Sequence, residues 1–162
     1  MREILELLER DASLSHDTLA TMTGRPVAEV SAQIAAWEEA GVIRRYKAVV
    51  DWEKVDGAEA TEVTAFIDVA VAPARGVGFD DVAERISRFD EVRSCYLVSG
   101  GHDLRCTVVG SNIRAVSDFV SRKLSTIDRV TATATHFVLH THKRDGDTFF
   151  EPEPDHRLRV TP

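Results

Sequence analysis

The stretch His16-Asp17-Thr18-Leu19-Ala20-Thr21-Met22-Thr23-Gly24-Arg25-Pro26-Val27-Ala28-Glu29-Val30-Ser31-Ala32-Gln33-Ile34 decides how the first third of the chain is read. Leu19, Ala20 and Met22 give a short helix over about 16–22, and Ser15 before it has the side chain of a helix cap. Thr23-Gly24 stops that helix, because glycine accepts the positive φ that a tight turn after a helix end commonly requires. Pro26 suits the first turn of the next helix, whose apolar stripe is Val27, Val30, Ile34 and Trp37 up to Gly41. Two helices joined by a short glycine-bearing turn are the core of a helix-turn-helix.

Upstream, Ile4, Leu5, Leu7 and Leu8 recur at helical spacing among Glu3, Glu6, Glu9 and Arg10, which predicts a first amphipathic helix over 2–10. Downstream, Val42-Ile43-Arg44-Arg45-Tyr46-Lys47-Ala48-Val49-Val50 alternates and predicts a wing-like strand. Residues 1–51 therefore read as a winged-helix-like domain. Residues 52–61 read as a polar linker, with Asp56-Gly57 as a turn signal and Trp52 as a packing residue.

A second pattern begins at Glu62. Val63, Ala65, Ile67, Val69 and Val71 alternate with Thr64, Phe66 and Asp68, which predicts a strand. A loop over 73–78 leads to a helix over 79–89. Strands over 92–98 and 103–109 flank the turn Ser99-Gly100-Gly101-His102. A helix opened by Asn112 and a last strand over 130–142 follow. Strand, helix, strand, strand, helix, strand is the ferredoxin-like βαββαβ order. The fold class is thus α+β, with the ferredoxin-like domain at 62–142. Two helices cover one face of such a sheet, and apolar residues on the other face predict a homodimer. Residues 143–162, including Glu151-Pro152-Glu153-Pro154, read as an extension outside the core.

The bulk numbers bound what the chain does. A formal net charge of −7 over 162 residues, with a pI near 5.3, excludes broad non-specific coating of nucleic acid, though not a local basic patch. The longest apolar runs, such as Val69-Ala70-Val71-Ala72, are far too short to span a bilayer, and the start lacks a signal-peptide stretch. The expectation is a cytoplasmic protein with no membrane partner. Cys95 and Cys106 fall on neighbouring strands, where a reducing compartment favours two buried thiols over a disulfide. No CxxC pair is present.

Several separated phrases resemble the Lrp/AsnC family of regulators. Trp37-Glu38-Glu39-Ala40-Gly41-Val42-Ile43-Arg44-Arg45-Tyr46-Lys47-Ala48-Val49-Val50-Asp51 is similar to the family's passage out of the recognition helix. Val92-Arg93-Ser94-Cys95-Tyr96-Leu97-Val98-Ser99-Gly100-Gly101-His102-Asp103-Leu104 is similar to its glycine-aspartate passage, and residues 130–139 are similar to its closing strand. The resemblance covers residues 1 to about 143. It implies a transcriptional regulator that binds double-stranded DNA and senses an amino acid or related molecule at a subunit interface. Assembly of dimers into octamers or other rings is implied as well.

The departures are informative. Between Pro26 and Ala40 the recognition helix holds Glu29, Glu38 and Glu39 and no basic residue. Its groove-facing positions are Ala28, Glu29, Ser31, Ala32, Gln33 and Ala35, of which only Ser31 and Gln33 can donate to bases. The nearest positive charges are Arg25 before it and Arg44, Arg45 and Lys47 after it. That later cluster reads either as phosphate contacts or as a solvated strand edge. For the effector, Ser99, Gly100, Gly101, His102 and Asp103 are the expected pocket wall, with Thr133 and Thr135 on the last strand. The glycines would offer N–H groups to a carboxylate. Asp103 would either meet an α-ammonium or hold the turn. His102 stands where the family often has an aromatic residue.

His136, His140 and His142 share a face of the predicted last strand, with Thr131, Thr133 and Thr135 opposite, and read as sheet positions rather than metal ligands. No nucleophilic triad or phosphate-cradling loop appears, so no catalytic residue, metal or cofactor is assigned. Two alternatives stand beside the regulator. One is an assembly module that senses its ligand without DNA. The other is an enzyme of the same architecture that decarboxylates tetrapyrroles, as some proteins built like this family do.

Overall fold

The computed structural model describes residues 1–51, 54–55, 62–73 and 78–150. Most of the expected linker, including Trp52 and Asp56-Gly57, most of the 73–78 loop and the Glu151–Pro154 segment lie outside the described residues. The chain divides into two compact units, Met1–Val50 and Asp51–Pro162.

The first unit is three helices, α1 (Arg2–Arg10), α2 (His16–Thr23) and α3 (Val27–Glu39). Ile4, Leu8, Leu19, Ala20, Val30 and Ile34 form its core, with Leu7, Leu14, Trp37 and Ile43 packed around them. The Ser15 hydroxyl accepts the Thr18 N–H at 3.1 Å and so satisfies one orphan donor of α2. Gly24 closes that helix at φ 65°, and the Arg25 N–H returns to the Ala20 carbonyl at 3.0 Å. The expected wing strand does not form. After the turn at Gly41, residues 44–51 carry no regular element. Alternating apolar residues make a strand only where a neighbouring edge takes their N–H and C=O groups, and a three-helix unit offers none.

The second unit is built on β1 (Val63–Val71), α4 (Asp80–Ser87), β2 (Val92–Leu97), β3 (Leu104–Gly110), α5 (Ile113–Arg122) and β4 (Val130–Phe137). The antiparallel sheet has the order β2-β3-β1-β4, as the ferredoxin-like arrangement requires. Ala65, Ile67, Val69 and Val71 of β1 and Leu104, Cys106 and Val108 of β3 face the helices. They pack on Val82 and Ile86 of α4 and on Val116 and Phe119 of α5. The opposite face carries Phe66, Asp68, Arg105 and Tyr96.

β4 is shorter than the sequence pattern suggests. It ends at Phe137, and a two-residue hairpin, β5 (Lys143–Arg144) with β6 (Asp147–Thr148), follows. His140 and His142 are therefore not strand positions. Their rings meet edge to face at 4.6 Å, away from the ladder that holds His136. The pattern overran because β1, the strand with which β4 pairs, begins at Val63: the ladder runs out at Ala65–Phe137, with one further bond from the Val138 N–H to the Thr64 carbonyl.

Candidate functional site

In the helical unit, α3 presents Ala28, Glu29 and Ala32 to solvent, and Gln33 is half-buried. Three of the expected DNA-binding residues, Arg25, Glu29 and Ser31, are already engaged. The Arg25 guanidinium donates to Glu29 at 2.7 Å, so the cation at the head of α3 is neutralised one turn into the helix. Ser31 Oγ lies 2.8 Å from His16 Nδ1, which ties α3 to the start of α2. Arg44, Arg45 and Lys47 are exposed after the helix. The Tyr46 hydroxyl donates to Glu38 at 2.9 Å, and desolvation, with that bond second, raises the phenol's pKa.

In the second unit, the β2–β3 turn walls an open depression of about 540 Å³ lined by Asp68, Leu97, Val98, Ser99, Gly100, Gly101, His102 and Arg105. Four of the five expected turn residues are in that lining. Gly100 has φ 149°, a backbone conformation that side chains disfavour.

Asp103 is the exception. Its Oδ2 accepts the Val71 N–H at 2.8 Å, while its own N–H donates to the Val69 carbonyl at 3.1 Å and its carbonyl accepts from Val98 at 2.9 Å. Its carboxylate thus fastens the turn to the end of β1, where the β1–β4 register shifts between Ala70 and Val71. Thr133 and Thr135 do not join the depression either. They pair with Val69 and Ile67, whose side chains face the helices, so they lie on the covered side of the sheet.

The structure adds a group that the sequence reading passed over. Asp68, only 7% exposed, sits mid-strand on the open sheet face. Arg105 grips it with two bonds, Nε to Oδ1 at 2.7 Å and Nη2 to Oδ2 at 2.9 Å. His136 Nε2 lies 3.5 Å from Oδ2. The Arg105 hydrogen bonds hold the Asp68 carboxyl below its ordinary range against the opposing effect of burial. Those two bonds use Nε and Nη2 of the guanidinium, and Arg105 is also one of the residues that line the depression. The available signal was an acid within the otherwise apolar Ala65–Val71 run, matched by an arginine in β3.

Residues 64–148 match the family model described as the Lrp/AsnC ligand binding domain. The whole chain is 50% identical over 160 residues to the uncharacterized HTH-type transcriptional regulator YugG of Bacillus subtilis, covering 99% of this chain and 95% of that one. The chain belongs to the Lrp/AsnC family. Among solved structures, an AsnC family transcriptional regulator from Agrobacterium tumefaciens is 30% identical, with a TM-score of 0.69, and the match covers 93% of this chain and 94% of that one. The feast or famine regulatory protein of M. tuberculosis, complexed with L-methionine, is 26% identical with a TM-score of 0.70, over 89% and 92% of the two chains.

This Lrp/AsnC chain is therefore a helix-turn-helix transcriptional regulator by family, and its kinship reaches across both units. The matched ligand-binding region contains the whole Asp68–Arg105–His136 group and the turn beside it. Among the described residues, no cluster of three or more His, Cys, Asp or Glu side chains gathers as a metal site. No helix among them is long and apolar enough to cross a membrane.

Proposed function

We propose that the chain is a cytoplasmic regulator that docks on double-stranded DNA through Met1–Val50 and senses an amino acid at the Ser99–His102 turn as a homodimer. The observation that carries the effector reading is Arg105. A guanidinium held by Asp68 through Nε and Nη2, with Nη1 outside that pair, lines the same depression as Gly100 and Gly101. Fixed N–H groups and a fixed cation together suit a carboxylate, and a guanidinium is well shaped for it. The methionine bound by the M. tuberculosis relative supports an α-amino acid as that carboxylate.

In this reading His102 lines the site, and Asp103 acts by holding the turn rather than by touching ligand. The depression is open, so a second copy of the chain completes the enclosure. Further assembly of dimers follows the family pattern. Ligand at a subunit interface then biases operator binding by changing how paired helix-turn-helix units are spaced. On the DNA side, Ala28, Glu29, Ala32 and Gln33 lie toward the groove, and Arg44, Arg45 and Lys47 meet phosphates.

Calorimetric titration with a panel of amino acids that includes L-methionine tests the sensing half. Saturable binding that weakens at least tenfold in Arg105→Gln is expected. Binding by none of the panel, or binding indifferent to Arg105, would overturn it. Titration against the chain's own upstream DNA in rising salt, beside a scrambled duplex, tests the other half. Sequence-selective, salt-sensitive binding is expected. Equal affinity for both duplexes would instead leave a sensor module that works without specific DNA.

A further inference from the structure

Cys95 and Cys106 stand directly opposite each other on β2 and β3, with their sulfurs 3.5 Å apart. The Val98 N–H donates to the Asp103 carbonyl, and the alternation of an antiparallel ladder then makes Cys95–Cys106 a non-hydrogen-bonded pair. Such pairs bring their Cα atoms to about 4.5 Å, inside the roughly 4.4–6.8 Å span a disulfide tolerates. A small rotation of the two side chains closes the remaining gap to a bond of about 2.0 Å. No strand has to move.

The two thiols are unequal in a way that orders the chemistry. Cys95 is half-buried on an edge strand, whereas Cys106 is fully enclosed in the core. The Cys106 S–H donates to Cys95 Sγ. That bond stabilises a thiolate at Cys95 and lowers its pKa, while the same bond and burial raise the pKa of Cys106. The accessible sulfur is thus the nucleophile, and the enclosed one already points its proton at it.

We propose that Cys95 and Cys106 form a reversible thiol–disulfide pair that responds to hydroperoxides. The Cys95 thiolate attacks one peroxide oxygen, and the O–O bond breaks. Cys95 becomes a sulfenic acid, and the leaving oxygen takes up a proton as water or an alcohol. Cys106 Sγ then displaces the sulfenic hydroxyl, which leaves as water with the Cys106 proton. In all, two thiols lose two electrons to the peroxide, and one S–S bond forms. A dithiol reductant reverses the step. The bond would lie one residue from the Tyr96–Arg105 pair, so closure clamps the hairpin that carries the Ser99–His102 turn.

The test uses the full reduced chain, hydrogen peroxide in small excess, and alkylation under denaturing conditions followed by mass spectrometry. Both thiols should vanish together, with the loss of two hydrogens and a peptide link within one chain. Dithiothreitol should restore both. In Cys106→Ser or Cys106→Ala, Cys95 should stop at the sulfenic acid and be trapped by dimedone. In Cys95→Ser, Cys106 should remain a thiol. Two thiols that survive in the wild-type chain would overturn the proposal. So would a disulfide that joins two chains, or equal peroxide reactivity at Cys106 once Cys95 is gone.

Discussion

The Asp68 carboxylate on the open sheet face contributes to how this domain should answer to acid, beside Asp81 and Glu91, whose pKa values are lowered as well. Asp68 is folded into two hydrogen bonds from Arg105, and its pKa is depressed for that reason. A depressed carboxylate contributes stability that is present above its unfolded value, roughly 3.9, and is lost as pH falls through the folded value. Urea midpoints taken between pH 7 and pH 3 should therefore fall more steeply for the wild type than for Asp68→Asn. At pH 7 the variant should be less stable by about 1–2 kcal/mol, the scale of a charge-assisted hydrogen bond discounted for the half-exposed guanidinium that stays hydrated. Parallel pH profiles would show that Asp68 does not govern this response. Asp103 offers a contrasting case. Its Oδ2 serves the Val71 N–H, so Asp103→Asn should keep an acceptor there and leave amino-acid affinity within a few-fold of wild type, while Asp103→Ala should cost about 1–3 kcal/mol of stability. A hundredfold loss of affinity in the asparagine variant alone would mean that the carboxylate touches ligand.

At the scale of elements, the helix-turn-helix was legible because its signals are local. Ser15 and Gly24 state their roles by residue type and cap α2 as expected, whereas Pro26 stands one residue before α3, as its extended N-cap, rather than in its first turn. Gly24 at φ 65° is the point of greatest leverage, and Gly24→Ala should destabilise the chain by about 1 kcal/mol, read as a lowered thermal midpoint. The sheet was legible from period-two alternation, yet its ends were not, since a strand stops where its neighbour stops. That is why β4 ends at Phe137 and why residues 44–51 form no strand beside three helices. The Asp68–Arg105 pair was hidden for a related reason. Nothing in either segment alone says that a register of seven paired residues sets Asp68 opposite Arg105. The acidic recognition helix carries its own prediction. Glu29 holds Arg25 at 2.7 Å, so Glu29→Gln should release a cation toward phosphate and remove a like charge from the duplex. DNA affinity at low salt should rise roughly three- to tenfold, the equivalent of about 1 kcal/mol at contact range in water-rich surroundings, with a steeper salt dependence. Unchanged affinity would place Glu29 away from the groove.

For the molecule as a whole, the open face of the sheet asks what covers it. Helices α4 and α5 bury one face, while Phe66 at 44% and Tyr96 at 61% exposure stand on the other beside the Asp68–Arg105 pair. Each ring withdrawn from water would contribute about 25 cal/mol for every Å² of apolar surface covered, and the Asp68 carboxylate enters such a contact already paired by two Arg105 bonds. A second copy presenting the same face meets those terms twice over, as an isologous contact does. Phe66→Glu tests this without touching the core, because Phe66 pairs with His136 and Thr107 on the uncovered side. Sedimentation across a concentration series should show dimers of the wild type, and a dissociation constant weakened on the order of a hundredfold for the variant, with unchanged helical content. Affinity for whichever amino acid the calorimetric panel identifies should fall in step with dissociation if the second copy completes the depression. A variant that stays dimeric at every concentration would move the interface off this face. The depression at the β2–β3 turn would then have to bind its ligand within a single chain.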